Sequence, residues 1–134
     1  MRIPLSTYRL QFNGQFQIED ARRLVPYLEA LGITDLYASP LTQSRPGSLH
    51  GYDVTDPTQL NPELGTEAGL ELLARELRTR KMGLLLDIVP NHMAASSDDP
   101  YWMDVLESGP ASPFAPWFDI EWKHSKNALK NKVL

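Results

Sequence analysis

Asp87, Asn91 and His92 are the residues in this chain whose types and spacing point to chemistry. They place a carboxylate, a carboxamide and an imidazole at the exit of one apolar run, Gly83-Leu-Leu-Leu-Asp-Ile-Val-Pro-Asn-His92. A carboxylate accepts hydrogen bonds or balances positive charge, and an imidazole moves a proton near neutrality, so the trio suits a polar site at the mouth of an apolar wall. The run bounded by Gly83 and Pro90 reads as a strand covered on both faces. With a period of two, Leu85, Asp87 and Val89 share one face and Leu84, Leu86 and Ile88 the other, so Asp87 is aimed at an interior and needs a partner there. On these residues alone two readings stay open: a structural carboxylate that closes local hydrogen bonds, or a member of a site.

The remaining titratable groups add little chemistry of their own. Asp53 and Asp56 lie in a loop with no apolar stretch to raise a carboxyl pKa, so neither offers Asp87 an acid partner. His50, His92 and His124 lack a zinc-type spacing, and the absence of cysteine excludes thiolate-bound metals and a disulfide framework. No cofactor and no metal are expected.

The elements that must position these groups follow in order. Leu5 to Phe12 is rich in strand formers and is broken by Asn13-Gly14. From Ile18, the residues Ala21, Leu24, Val25, Leu28 and Leu31 recur at helical spacing and Gly32 stands where a helix C-terminal glycine belongs, with a kink expected at Pro26. Ile33 to Pro40 is a second strand after a minimal connection. Leu41 to Gly65 carries Pro46, Gly47, Gly51, Pro57 and Pro62 without sustained periodicity and reads as a long loop. Thr66 caps a second helix with Leu70, Leu73, Ala74 and Leu77 on one stripe, and Gly83 opens the third strand.

The order βαβαβ implies parallel strands, in an open doubly wound sheet or a (β/α)8 TIM barrel. The long loops follow the second and third strands, at the ends where both architectures build sites. No glycine-rich phosphate loop follows the first strand, which disfavours nucleotide binding. Past His92, Tyr101, Trp102, Phe114, Trp117, Phe118 and Trp122 cluster among Pro110, Pro113 and Pro116, which predicts an irregular excursion with its own small core and no regular third helix. A barrel needs about 250 residues. The chain of 134 residues therefore reads as the front of a larger protein, with 1–92 the N-terminal part of the barrel and 93–134 the start of an inserted subdomain after the third strand.

Composition narrows the partners. Hydrophobic residues at 42% and charged residues at 22% suit an ordinary globular core. A net charge of −4 lacks the basic footprint of a nucleic-acid binder and leaves neutral ligands such as sugars open. Met-Arg-Ile-Pro leads into polar residues, so no signal peptide or membrane span is expected and the protein is read as cytoplasmic.

Two strings carry a resemblance. Asp87-Ile-Val-Pro-Asn-His92 resembles the signature at the end of the third strand in the α-amylase family of glycoside hydrolases and transglycosidases, and His50-Gly-Tyr-Asp-Val-Thr-Asp56 resembles that family's loop after the second strand. Ser6 to Phe12, Leu36 to Pro40, Arg45 to Asp53 and Asp104 to Pro113 are similar to its trehalose-forming glucosylmutase branch. The resemblance implies the N-terminal βαβαβ portion of a (β/α)8 barrel. It also implies a maltooligosaccharide or α-1,4-glucan substrate whose reducing-end linkage is rearranged to an α,α-1,1 bond. A hydrolase or trehalohydrolase of the same fold, or a non-catalytic glucan-binding protein, would share these strings.

By the same resemblance, Tyr52 is the platform under the sugar at the cleavage subsite and His92 bonds that sugar's 6-hydroxyl. Asp53 and Asn91 fix the surrounding loops, and His50 joins the substrate-binding residues; Trp102 is a further substrate-binding candidate on its own chemistry, since aromatic faces stack on sugar rings. Asp87 stands behind them, paired with an arginine near the nucleophile. The nucleophile, acid and stabilising carboxylate are expected after Leu134. Asn91 matches a position that often ligates calcium, but no oxygen-ligand loop stands out here.

Overall fold

A computed structural model describes residues 3–123, 126 and 128. His124 and the apolar end at 132–134 lie outside the described residues. Two compact units divide at Ala94 and Ala95.

In the first unit, strand β1 spans Thr7–Leu10, helix α1 Ile18–Ala30 and strand β2 Asp35–Ala38. A hairpin of β3 (Thr42–Ser44) and β4 (Val54–Leu60) follows, then helix α2 (Glu67–Thr79) and strand β5 (Gly83–Leu86). The sheet runs β1-β2-β5 with both pairs parallel, as the alternation of strands and helices predicts. All three strands are shorter than their apolar stretches, because ladder pairing stops where the chain turns into the loops.

One face of the sheet is covered. Leu10 and Phe12, Leu36 and Ala38, Ile18, Ala21, Val25 and Leu28 of α1, and Leu73 and Leu77 of α2 form a single buried cluster, so both helices pack on the same side. A fully buried leucine such as Leu36 contributes roughly 1.5–3 kcal/mol. The register sets Arg9 beside Tyr37 and Tyr37 beside Leu85, so the opposite face presents Arg9, Tyr37 and Leu85, with Gln11 and Asp87 next along the strands.

The helix ends follow their signals. At the end of α1, Gly32 adopts φ +83, its N–H bonds Glu29 O at 2.9 Å, and Ile33 N–H bonds Leu28 O at 3.0 Å, the paired closure that a left-handed glycine permits. Thr66 caps α2 by accepting from Gly69 N. Helix α1 continues unbroken through Pro26, whose exposed position leaves the unbonded carbonyl one turn back on the solvent side. Leu31, placed on the apolar stripe by spacing, is 52% exposed because the helix has already ended at Ala30.

Three expectations are corrected. The segment from Leu41 to Gly65 is not a plain loop: β3 and β4 pair antiparallel with register shifts, and Asn61 Nδ2 bonds Ser44 Oγ beneath them at 2.9 Å. Strand β5 is not covered on both faces, since Leu85 and Leu86 are exposed and it has β2 alone as a neighbour among the described residues. The segment past His92 does contain a regular helix, α3 (Pro100–Ser108), in the second unit. Asp99 caps it through Tyr101 N and Trp102 N, and Pro100 occupies the first turn, where its missing N–H costs nothing. Beyond α3 the prolines do produce short turns, Gly109–Ala111 and Ala115–Trp117. The aromatic cluster is real: Tyr101, Phe114 and Trp117 lie with ring centres 4.8–5.3 Å apart. No helix among the described residues is long and apolar enough to cross a membrane.

Candidate active-site wall at the strand ends

The site is built at the C-terminal ends of β2 and β5 by two loops and one strand face. Tyr52 comes from the β3–β4 connection. This loop is closed on itself: Arg45 N bonds Asp53 O at 3.1 Å, Ser48 Oγ donates to Asp53 Oδ1 at 2.5 Å, and Gly51 N donates to Ser48 Oγ at 3.1 Å. Asp53 is therefore bonded within the loop, with Ser48 as the partner that sequence reading did not supply. Asp56 is similarly occupied, accepting from Thr58 N and Oγ1 at 2.8 and 2.7 Å.

Gly51 makes the tight approach of this loop possible. Its φ is +76, and a Cβ there would stand 2.9 Å from the carbonyl oxygen of Pro40. Gly51→Ala in the full-length protein is expected to cost roughly 1–3 kcal/mol through a strained backbone and a clash that backbone must relieve. A thermal melt checks this, and a melting temperature equal to wild type would show that the loop yields freely.

Tyr52 is held on three sides. Its hydroxyl donates to Asp87 Oδ2 at 2.5 Å and accepts from Arg9 Nη2 at 3.0 Å. Its backbone N–H donates to His50 Nδ1 at 3.0 Å, and the His50 ring stacks on it with centres 6.0 Å apart. Tyr52 nevertheless remains 37% exposed. The bond to Asp87 raises the Tyr52 pKa above its usual value, burial adds to this, and the Arg9 cation partly offsets it. At Arg9 burial works against the charge, but the oxygens of Tyr52 and Tyr37 prevail and its pKa is raised.

Asp87 finds the partners its position demanded. Besides Tyr52 it accepts from Tyr37 Oη at 3.2 Å and lies 3.7 Å from Arg9 Nη2. The cation comes from the first strand of this chain, whereas the resemblance implied an arginine from elsewhere. All three contacts meet at Oδ2 and leave Oδ1 without a partner among the described residues.

His92 closes the group from the β5 side. Its Nε2 lies 3.0 Å from Tyr52 O and its Nδ1 3.1 Å from Asn91 Oδ1. A carbonyl only accepts, so Nε2 carries the proton in its contact with Tyr52 O. His50, Tyr52, Asp87, Asn91 and His92 are thus linked in one hydrogen-bonded constellation, and Asp53 lies beside it with Oδ1 3.8 Å from His50 Nδ1. Trp102 belongs to the second unit, where its ring packs on Phe118 at 5.3 Å. Sequence reading missed Arg9 and Tyr37, although the period-two face shared by Arg9 and Gln11 was a signal for the first of them.

Comparison with known proteins gives this wall a family. The model described as "Alpha amylase, catalytic domain" matches residues 21–133. A "Putative maltooligosyl trehalose synthase" of Mycobacterium tuberculosis is 45% identical over 126 residues, covering 89% of this chain and 16% of that protein. The solved maltooligosyltrehalose synthase of Arthrobacter ramosus is 46% identical with a TM-score of 0.86, covering 89% of this chain and 16% of its own. A hypothetical maltooligosyl trehalose synthase of Sulfolobus tokodaii is 42% identical with a TM-score of 0.83, covering 91% and 17%. The chain thus spans about one sixth of the length of these relatives. Its parallel βαβαβ order and its polar constellation at the strand ends fit that match, and the chain belongs to the alpha-amylase family, with the fold of its catalytic barrel.

Proposed function

We propose that this chain supplies part of the sugar-binding wall of an intramolecular glucan transglycosylase, which converts the reducing-end α-1,4 linkage of maltooligosaccharides to an α,α-1,1 linkage. The observation that carries the reading is the half-exposed Tyr52 ring, fixed by Asp87 and Arg9 at its hydroxyl and by His92 at its carbonyl. A rigid aromatic face beside polar hydrogen-bonding groups is what a pyranose ring needs. The solved relatives are described as maltooligosyltrehalose synthases, one of them hypothetical, and that supports the choice of reaction.

In this reading Tyr52 lies under the sugar whose anomeric carbon is attacked. A sugar hydroxyl accepts a share of the His92 Nε2–H that also bonds the Tyr52 carbonyl. Asp87 holds the wall without contacting the reacting atoms. Asp53 is engaged by Ser48 and Asp56 by Thr58, and the family resemblance implies that the nucleophile, the acid and the stabilising carboxylate of a retaining mechanism come from outside these 134 residues. The nucleophile displaces the reducing-end glucose from the anomeric carbon it is linked to, leaving the rest of the chain as the covalent intermediate while the acid protonates the departing O4; the released glucose turns within the site, and its anomeric hydroxyl attacks that carbon, losing its proton to the same group and freeing the nucleophile. The wall serves this by holding the chain and excluding water. The second unit from Ala95 onward begins a subdomain inserted after the third barrel strand, and Trp102 is its candidate sugar contact.

The test is incubation of the full-length protein with maltopentaose and chromatographic separation of glucose, reducing chains and non-reducing chains. Non-reducing chains of unchanged length are expected. Glucose and shortened reducing chains alone would make the protein a hydrolase, and unaltered maltopentaose a binder. The 134-residue chain by itself is expected to give no turnover, and measurable conversion by it would overturn the placement of the catalytic carboxylates.

A further inference from the structure

Arg9 and Gln11 project from the first strand into the loops of the site, on the face that also carries Tyr37. The guanidinium works in two directions. Its Nη1 donates to Gln11 Oε1 at 2.7 Å, while Nη2 donates to the Tyr52 hydroxyl at 3.0 Å. Its central carbon stands 5.5 Å from the centre of the Tyr37 ring, a second restraint on its orientation. Gln11 carries the constraint onward, with Nε2 donating to His50 O at 3.1 Å and to Leu49 O at 3.3 Å.

We propose that Arg9 is a positioning residue of this site: its fork fixes the Tyr52 hydroxyl from the acceptor side and, through Gln11, the backbone that carries His50. The proposal rests on the reading of Tyr52 as the sugar platform. A phenol oxygen donates one bond and accepts others. Asp87 takes the donated bond and Arg9 supplies the accepted one, so the directions along Arg9, Tyr52 and Asp87 are all determined. With the Asp87 bond alone, the ring could swing about a single tether. A lysine carries the same charge, but its ammonium lacks the planar fork that reaches Gln11 and Tyr52 together.

The test is a double-mutant cycle in the full-length protein with Arg9→Met, Tyr52→Phe and the pair. Each single substitution is expected to lower kcat/KM about tenfold and to raise the share of free glucose, and the pair to be no worse than the poorer single, since both remove one link. A pair about a hundredfold down, the product of two independent effects, overturns the proposal. So does a lowered melting temperature with the product ratio of wild type, which is what a purely structural arginine would give. If Arg9→Met does not fold, Arg9→Lys keeps the stem and charge and must still raise the glucose share; a wild-type share overturns the proposal. A readout free of activity is the absorbance titration of Tyr52, isolated by subtracting the Tyr52→Phe protein. Losing the cation while Asp87 remains must move that titration to higher pH in Arg9→Met, and an unmoved titration overturns the proposal. Should the wild-type protein leave maltopentaose unchanged, the substrate reading fails by itself, and the titration still decides the role of Arg9.

Discussion

Replacing His92 by alanine in the full-length protein is expected to lower kcat by roughly a hundredfold, with KM changed by only a few fold. Two losses combine. The Nε2–H that stands 3.0 Å from Tyr52 O disappears, so the carbonyl behind the platform loses its anchor. The donor proposed for the sugar hydroxyl goes with it, beside a ring that gains positive charge in both transfers. A contact that strengthens as charge develops acts on the transition state more than on bound substrate, so the loss falls on kcat. Steady-state kinetics on maltopentaose measure the split. A rise in KM at constant kcat would instead mark His92 as a ground-state binding residue, and no change at all would remove it from the cleavage subsite.

Tyr52→Ala is expected to change what is made more than how fast it is made. The aromatic face disappears together with the hydroxyl that links Arg9 to Asp87. The covalent intermediate and the released glucose waiting to attack it are then held loosely, and misplacement by an ångström is enough to favour water as acceptor. The share of product that is free glucose should rise several-fold relative to non-reducing chains, read from the same chromatogram. An unaltered share would show that the ring faces away from the substrate.

The sequence made the three parallel strands and two helices legible because each carried two independent signals. Apolar period agreed with an end signal at Gly32 and at Thr66, and local and tertiary preferences agreed with each other. The β3–β4 hairpin was hidden by Pro57 within a polar strand and by register shifts that break the alternation. Helix α3 was hidden by weighing Pro110, Pro113 and Pro116, which lie beyond it, over the Asp99-Pro100 start that caps it. The exposure of Leu85 and Leu86 was not legible at all, because an apolar run states what a strand can bury and not what stands beside it. In the site, the structure brings His50, Tyr52, Asp87, Asn91 and His92 into one set of hydrogen bonds. Sequence reading did not place Arg9 and Tyr37 there, and bringing them to Asp87 required the register of three strands.

The double tether on the Tyr52 hydroxyl has a thermodynamic consequence. A tyrosine left free on a loop must lose its rotamer freedom when a ligand arrives, at about 0.5–1.5 kcal/mol for an immobilised side chain. Here the Arg9 and Asp87 bonds impose that loss during folding, before any sugar is present. Association should therefore carry a smaller entropic penalty in the wild-type protein than in Tyr52→Phe, where the ring keeps its shape but not its moorings.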